Sequence, residues 1–473
     1  MNNFLYQNLI RMELGGIYGH SMLQEMDEII RCYELYEGRR IVDAGDDNSD
    51  AHKLTRTNWI KKLINDESRH MCARPPELRI MPRDAKKHKD EAEQLTHWLE
   101  DTLDKNGWGE QLLKGARDAF VGKRVALKLS YEKGFGVRLR FAPSLEFIYD
   151  PDDQDPRRVN KAIFFYCTTP ETITDKAKQR YWKQRYVMRD GRCILDEGEF
   201  DGYGRPINII YENHDTGLSF VPAFVIVNGG LSGDLLGESD VHELIGNQTA
   251  YDQTKSDDLD ALKYQMFGQK VFIDASPESM QNIVIAPNAM IDLQSEPGSP
   301  HQAKAQVLET TFAYGEHMTQ TLERLKDDMH ELLSILRITP DLLSGLGTSG
   351  KAMRTLYWAL NCRCEERWAS GWDAALTWMV DGMLRLARAS GEKLPELDYV
   401  LNIEHLYPIM DDDEDERALD LQEVNAQVRS RRAHIEKWQP DADPDDELQQ
   451  IMKEKGLLED AYEGDLLKEL GGA

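Results

Sequence analysis

Cysteine is scarce in this chain: six among 473 residues. They are too few and too scattered for a disulfide framework, which points to a reducing compartment. Cys362 and Cys364 stand two apart, but no second Cys or His pair lies at a zinc-ligand spacing, so both read as ordinary helix side chains. No run of about 18 or more apolar residues occurs, so no membrane-spanning helix is expected. The opening MNNFLYQNLIRMEL has no basic stretch followed by an apolar core and a small-residue cleavage site, which argues against a secretory signal. The largest deficit is positive charge. Lys and Arg number 57 against 84 Asp and Glu, a formal net charge of −27, so the chain has no general attraction for nucleic-acid phosphates. Its histidines are scattered, and no Ser-His-Asp arrangement, HExxH or nucleophile elbow is found. No enzyme, cofactor or metal is expected on these grounds.

What is present is ordinary globular material, 41% hydrophobic and 30% charged, in a chain too long for one simple core. Two or more domains are expected. Residues up to about 70 carry Leu23, Met26, Ile29, Ile30 and Tyr33, then Trp59, Leu63 and Ile64, at helical spacing. Pro75 and Pro76 end that region, and Leu95, Trp98, Leu99 and Leu103 line a further helix. From Arg124 to about Asn228 the pattern changes to alternation, with EKGFG, Asp190-Gly191 and HDTG as turns. Helices first and strands afterwards predict an α+β fold, mainly helical with a β-rich module.

Asp240–Phe267 returns to helix, and a Pro-containing mixed segment follows, in which KVFI and NIVIA read as short strands. A second long helix is expected to start near Leu308, with an apolar stripe through Leu322, Leu325, Met329, Leu332, Leu333 and Leu336. Glu309, Glu316 and Glu323 recur every seven residues on another side. A third helix is expected from near Ser349 to about Ala389, with Trp368, Trp372, Leu376, Met379, Met383 and Leu386 as core. The end is acidic. Asp411–Ala473 holds 20 acidic and 8 basic residues, a net of −12 over 63 positions, which predicts a solvated or partner-binding tail. Within it, DADPDDELQQIM lacks the glycine and the closing glutamate of a calcium loop, and DDDEDE has no glycine.

One short motif competes for a chemical reading. SGLGTSGKAMRTL, Ser344–Leu356, contains GxxxxGK, but Ala352 stands where a phosphate loop needs a Ser or Thr hydroxyl for magnesium. The preceding RITPDLLSG follows a helix rather than a buried strand, and no Walker-B aspartate stands out downstream. What survives is a loop with three glycines in six residues, followed by Lys351 in the first turn of a helix.

Taken in order, these segments resemble the portal (head-to-tail connector) proteins of tailed bacteriophages over roughly residues 20–410. YELYEGRR (33–40), NWIKKLINDESRHMCARPPELRI (58–80) and SLEFIYDPDD (144–153) are similar to successive family stretches. The most specific stretch is VPAFVIVNGGLSGDLLGESDVHELIGNQTAYDQTKSD (221–257), which looks like the family's P-hydrophobic-N … G-x-S-D passage into a stem helix. Ser349, Gly350 and Ala352 fit the family's Ser-Gly-x-Ala step.

The resemblance implies a wing/stem/clip/crown architecture. Residues 1–239 would be N-terminal helices and wing, 240–268 the first stem helix and 269–307 the clip. Residues 308–338 would be the second stem helix, 339–350 the tunnel loop, 351–410 a long helix closing the wing, and 411–473 the crown. It further implies a homo-oligomeric ring, usually dodecameric, at one capsid vertex of the virion, assembled in the host cytoplasm and with no membrane. Double-stranded DNA would pass through the channel. The expected partners are the terminase large subunit at the clip, major capsid and scaffolding proteins, and head-completion adaptor or tail proteins. Gly345, Gly347, Thr348, Ser349, Gly350 and Lys351 would face DNA in the tunnel, and Glu309, Glu316 and Glu323 would lie on the channel wall. The rival reading is a P-loop-like, nucleotide-dependent packaging enzyme using Gly345–Lys351. A third is an acidic adaptor that binds basic proteins through Asp411–Asp446.

Overall fold

The computed structural model describes residues 13, 16–39, 57–84, 87–152, 158–169, 173, 175–231, 234–266, 269–273, 275–276, 295, 298, 300, 302–308, 315–337, 355–408, 413–439, 443–444 and 446–454. The chain divides into two units, Met1–Arg337 with Tyr357–Pro408, and Ile338–Leu356 with Ile409–Ala473.

The first unit opens with α1 (Gly16–Glu37) and α2 (Trp59–Cys72). Asn58 starts α2 by accepting the Lys61 N–H at 2.8 Å, satisfying one of the donors a helix start leaves open. The face of α2 that repeats at three and four residues is buried: Ile60, Leu63, Ile64, Glu67, Ser68 and Met71. Strand β1 (Glu77–Pro82) leads to α3 (Lys89–Lys105), where Leu95, Leu99 and Leu103 are buried as their spacing predicts, and to α4 (Trp108–Gly122). The core lies where α1 and α2 pack on α4 and α4 packs on the strands that follow.

Strands β2 (Arg124–Glu132), β3 (Gly136–Pro143), β4 (Phe147–Pro151), β5 (Val159–Cys167), β6 (Arg180–Arg189), β7 (Arg192–Asp201), β8 (Pro206–Asp215) and β9 (Ala223–Val227) form the β-rich module expected over this stretch. They make two antiparallel sheets, β3-β2-β9 and β4-β5-β6-β7-β8. Asp190 (φ 51°) and Gly191 (φ 77°) form the two-residue turn that joins β6 to β7, with Arg189 opposite Arg192. Lys128 of β2 reaches across to the second sheet, 4.7 Å from the Phe164 ring and 4.8 Å from that of Trp182, and donates to Gln184 Oε1. Burial there pushes its ammonium down to about 7.

Helix α5 (Asp240–Met266) follows, then the antiparallel pair β10 (Gln269–Ile273) and β11 (Lys304–Leu308), then α6 (Gly315–Leu332). KVFI forms β10 as expected, whereas NIVIA lies outside the described residues. Leu308 ends a strand instead of opening a helix, because its backbone pairs with Gln269. The described helix starts at Gly315. Leu332, expected in the apolar stripe, is 42% exposed, while Met329 and Leu333 are buried.

Helix α7 (Trp358–Arg367), a π-helical turn (Trp368–Trp372) and α8 (Asp373–Ala389) run on without a break, and both tryptophans are buried. Strand β12 (Tyr399–Glu404) then returns to pair with β1, Leu78 opposite Ile403. In the second unit, α9 (Asp413–Asn425) packs on α10 (Arg431–Trp438). The buried Asp420 carboxylate joins them, accepting from Trp438 Nε1 at 3.0 Å and from His434 Nδ1. Among the described residues no helix is long and apolar enough to cross a membrane.

Candidate functional site

Helices α5 and α6 pack on each other in antiparallel sense, joined at one end by the β10–β11 ribbon. The inner stripe of α5 mixes the buried apolar Val241, Leu244 and Tyr251 with polar residues. Gln248 accepts the Trp59 N–H at 3.0 Å and donates to the Thr57 carbonyl at 2.9 Å, and Asp252 accepts the Thr57 N–H at 3.1 Å. Lys255 donates to the Thr57 hydroxyl at 2.6 Å. These contacts satisfy the backbone at the start of α2 and fasten the first half of α5 to it. Further along, none of Asp257–Leu262 is buried. At the other end of the pair, the Trp59 ring packs edge-on against Tyr251 of α5 and His330 of α6.

The start of α5 is held by the stretch Gly237–Asp240, the GESD of the sequence. Gly237 has φ +76°, and a Cβ on it would lie 2.5 Å from the Lys123 carbonyl oxygen. Glu238 exchanges backbone and side-chain hydrogen bonds with Asn228 at the end of β9: its N–H donates to the Asn228 carbonyl, and its carbonyl accepts from Asn228 Nδ2, both at 2.8 Å. The Ser239 hydroxyl donates to the Val121 carbonyl at 2.7 Å. Asp240 Oδ1 accepts from Arg367 Nη2 at 2.7 Å and Arg363 Nη2 at 3.1 Å. The same two arginines donate through Nε to Glu67 Oε1, at 2.9 and 2.8 Å. Arg367 also donates to Asn228 Oδ1, and Arg363 to the Leu332 carbonyl at 3.4 Å, where α6 ends. One buried cluster therefore ties together α2, β9, α7 and the facing ends of α5 and α6.

Two acids and two guanidiniums balance in this cluster. Burial pushes the Glu67 carboxyl up, against the pull of Arg367 and Arg363. Burial likewise opposes the charge on Arg367, but Asp240 and Glu67 outweigh it and raise its pKa. Glu67 Oε1 accepts from both Nε–H donors, the charge-assisted contact of a carboxylate with two guanidiniums. Asp240 also sits in the first turn of α5, where a negative charge favours the helix start. The sequence stretch 221–257 contains Asn228, Gly237, Glu238, Ser239 and Asp240 but not Glu67, Arg363 and Arg367. Glu67 could have been found as an acid falling on the apolar face of α2, four residues after Leu63. Arg363 and Arg367 could have been found as two cations four apart on one helix face.

Beside the cluster, His70 stacks between Tyr357 (5.3 Å) and Tyr407 (5.5 Å), and its Nε2 lies 2.7 Å from Asn361 Oδ1. His405 stacks on Trp368 at 4.6 Å and meets Asp373 at 2.9 Å and Glu365 at 3.5 Å. Burial opposes the charge on His405, but these two carboxylates outweigh it and raise its pKa. Its protonation therefore favours the folded chain. That contribution is complete below about pH 6.5, the ordinary histidine value, and is lost as pH rises through the higher folded value. His405→Gln should accordingly lower the melting temperature at acidic pH and lower it less above neutrality. A gap between wild type and variant that stays constant across that range would refute the assignment.

Of the residues singled out in the sequence, Gly345, Gly347, Thr348, Ser349, Gly350, Lys351 and Glu309 lie outside the described residues. Glu316 is exposed in the first turn of α6. Glu323 is not a bare charge: Lys326 donates to it at 2.6 Å and Arg337 donates to its other oxygen, and together they hold its carboxyl below the usual range. Arg337 also pairs with Asp327 at 2.6 Å. Among the described residues no three His, Cys, Asp or Glu side chains are grouped to hold a metal ion.

Compared with known proteins, residues 17–457 match the family model described as phage portal protein, SPP1 Gp6-like. No curated protein matches the chain.

Proposed function

Because the chain belongs to the SPP1 Gp6-like family of phage portal proteins, we propose that its copies form a dodecameric ring at one capsid vertex, through which DNA enters and leaves. It is a mixed α+β portal protein of a tailed phage, a capsid component of genome packaging and the head–tail connection, in a family that is generally structural rather than catalytic. In the proposed ring α5 and α6 are the stem, and β10 with β11 belongs to the clip, where the terminase large subunit docks and head-completion or tail proteins bind later. The β-rich module and α8 form the wing, the acidic end forms the crown, and residues 339–350 form the tunnel loop. The family match over residues 17–457 carries this reading. Supporting it, α5 and α6 bury little of their surface within one copy, as helices do that pack against neighbouring copies.

The charge fits a passive conduit. Many Lys–phosphate contacts would trap a duplex, whereas a carboxylate-rich wall lets it slide. Glu309, Glu316 and Glu323 would serve as that wall, Glu323 with its charge partly offset by Lys326 and Arg337. Lys351 would add a thin ring of positive charge at the tunnel. Electron microscopy of the purified protein should show annular oligomers with a central hole, and Lys351→Ala particles should package or retain DNA less well. A monomer that hydrolyses ATP would overturn the ring in favour of the nucleotide-dependent reading. Lys351→Ala particles that behave like wild type would remove that residue from the tunnel's function.

A further inference from the structure

The five-stranded sheet ends on β8, and among the described residues no strand pairs with its outer edge. All ten of its residues are exposed. Ile207, Ile209, Ile210 and Tyr211 are between 43% and 53% exposed. A long apolar edge of this kind is a template for strand pairing and is normally covered. Next to it lies a cleft of about 310 Å³, whose lining combines the apolar Phe200, Ile209 and Tyr211 with Lys183, Arg185 and the acids Glu13, Asp196, Glu197 and Glu212. The cleft is large enough to take an incoming side chain.

Charge says what covers the edge. Pro206–Tyr211, PINIIY, contains no charged residue in a chain that is 30% charged and carries −27 overall. A basic partner would be recognised through free carboxylates; Pro206–Tyr211 has none, and of the acids lining the cleft Glu13 is engaged by Arg185, Asp196 by Arg185 and the Asn213 N–H, and Glu197 by Trp182 and Gln184. Two copies of the chain repel each other, so a contact between them has to be made by uncharged apolar surface. A closed ring also requires each copy to present one patch to a neighbour's different patch. Three register shifts between β7 and β8 bend the strand, which restricts its free edge to a surface of matching curvature.

We propose that the outer edge of β8, Pro206–Tyr211, is a contact between neighbouring copies in the assembled ring, a reading that rests on the ring proposed above. The test uses the full chain carrying Ile207→Glu with Ile209→Glu, examined by mass photometry and negative-stain electron microscopy. With circular dichroism and melting temperature like wild type, the assembled fraction should fall at least about tenfold, equivalent to about 1.4 kcal/mol of association free energy. Wild-type rings should in addition show amide exchange over Ile207–Tyr211 slowed at least about tenfold relative to subunits separated by dilution. That second measurement decides the matter if the double variant fails to fold. Variant rings at the wild-type level, or fast-exchanging β8 amides in wild-type rings, overturn the inference and leave the ring intact. Protection that arises only on adding capsid or scaffolding protein assigns the edge to that partner and overturns it too. Wild-type protein that never forms rings defeats the ring reading itself, and this inference with it.

Discussion

Replacing Arg367 with alanine is expected to lower the unfolding free energy by about 3–5 kcal/mol, because it strips a partner from two buried carboxylates at once. Arg367 donates to Glu67, Asp240 and Asn228, and its guanidinium lies 4.4 Å over the Phe120 ring. Without it Arg363 alone faces both acids, and Glu67 Oε2 already has no hydrogen-bond partner among the described residues. Denaturant midpoints check the magnitude, and a second variant checks the cause. Arg367→Met keeps most of the volume and should cost nearly as much. Arg367→Met with Glu67→Leu leaves one Asp240–Arg363 pair and should recover most of the loss. A double variant as unstable as Arg367→Met alone would mean that uncompensated charge is not the reason. Since Arg363 and Arg367 stand on α7 and reach Asp240 at the start of α5 and, through Arg363, the Leu332 carbonyl of α6, the same substitution loosens α5 and α6 from that helix.

Gly237→Ala should cost about 2–5 kcal/mol, the sum of a left-handed backbone for a residue with a Cβ and an overlap that cannot relax. The atoms in the way are the Lys123 and Asn228 carbonyl oxygens, at 2.5 and 2.9 Å, which are backbone. Gly204 is the control: its φ is +80°, and nothing lies within 4 Å of its would-be Cβ. Gly204→Ala should therefore show only the backbone part, about 1–2 kcal/mol. Equal losses in the two variants would refute the overlap. Gly237 stands three residues before Asp240, so relief of the clash would displace the start of α5.

The order of elements was legible because it rests on local patterns. Hydrophobic period separates α1 to α4 from β2 to β9, and the Asp190-Gly191 turn was readable from chemistry alone. Partners distant in the chain were not. Nothing near Tyr399–Glu404 announces that it pairs with Glu77–Pro82, more than 300 residues earlier, although its own alternation is that of a strand. The sequence places the start of a helix near Leu308, and pairing with Gln269 prevails over that pattern. The stretch 221–257 was visible as a pattern, but its meaning needed Glu67, Arg363 and Arg367 beside it. Glu316 and Glu323 share a helix, yet only the fold reveals that Glu323 is engaged by Lys326 and Arg337.

The π-helical turn at Trp368–Trp372 makes the phase of the long helix depend on how that one turn is wound. Such a turn holds one more residue than an α-helical turn, as if a single residue had been inserted without undoing the helix on either side. Winding the same residues as ordinary α-helix would instead rotate everything before the turn by about 100° relative to α8. Arg363 and Arg367 lie on the rotated side, and Leu376, Met379 and Met383 anchor the other in the core. The wide winding of that one turn therefore sets the angular phase between α8 and the base of the helix pair. Exchanges of sequence that keep the length but favour ordinary α-helical winding at the turn would put the two out of phase.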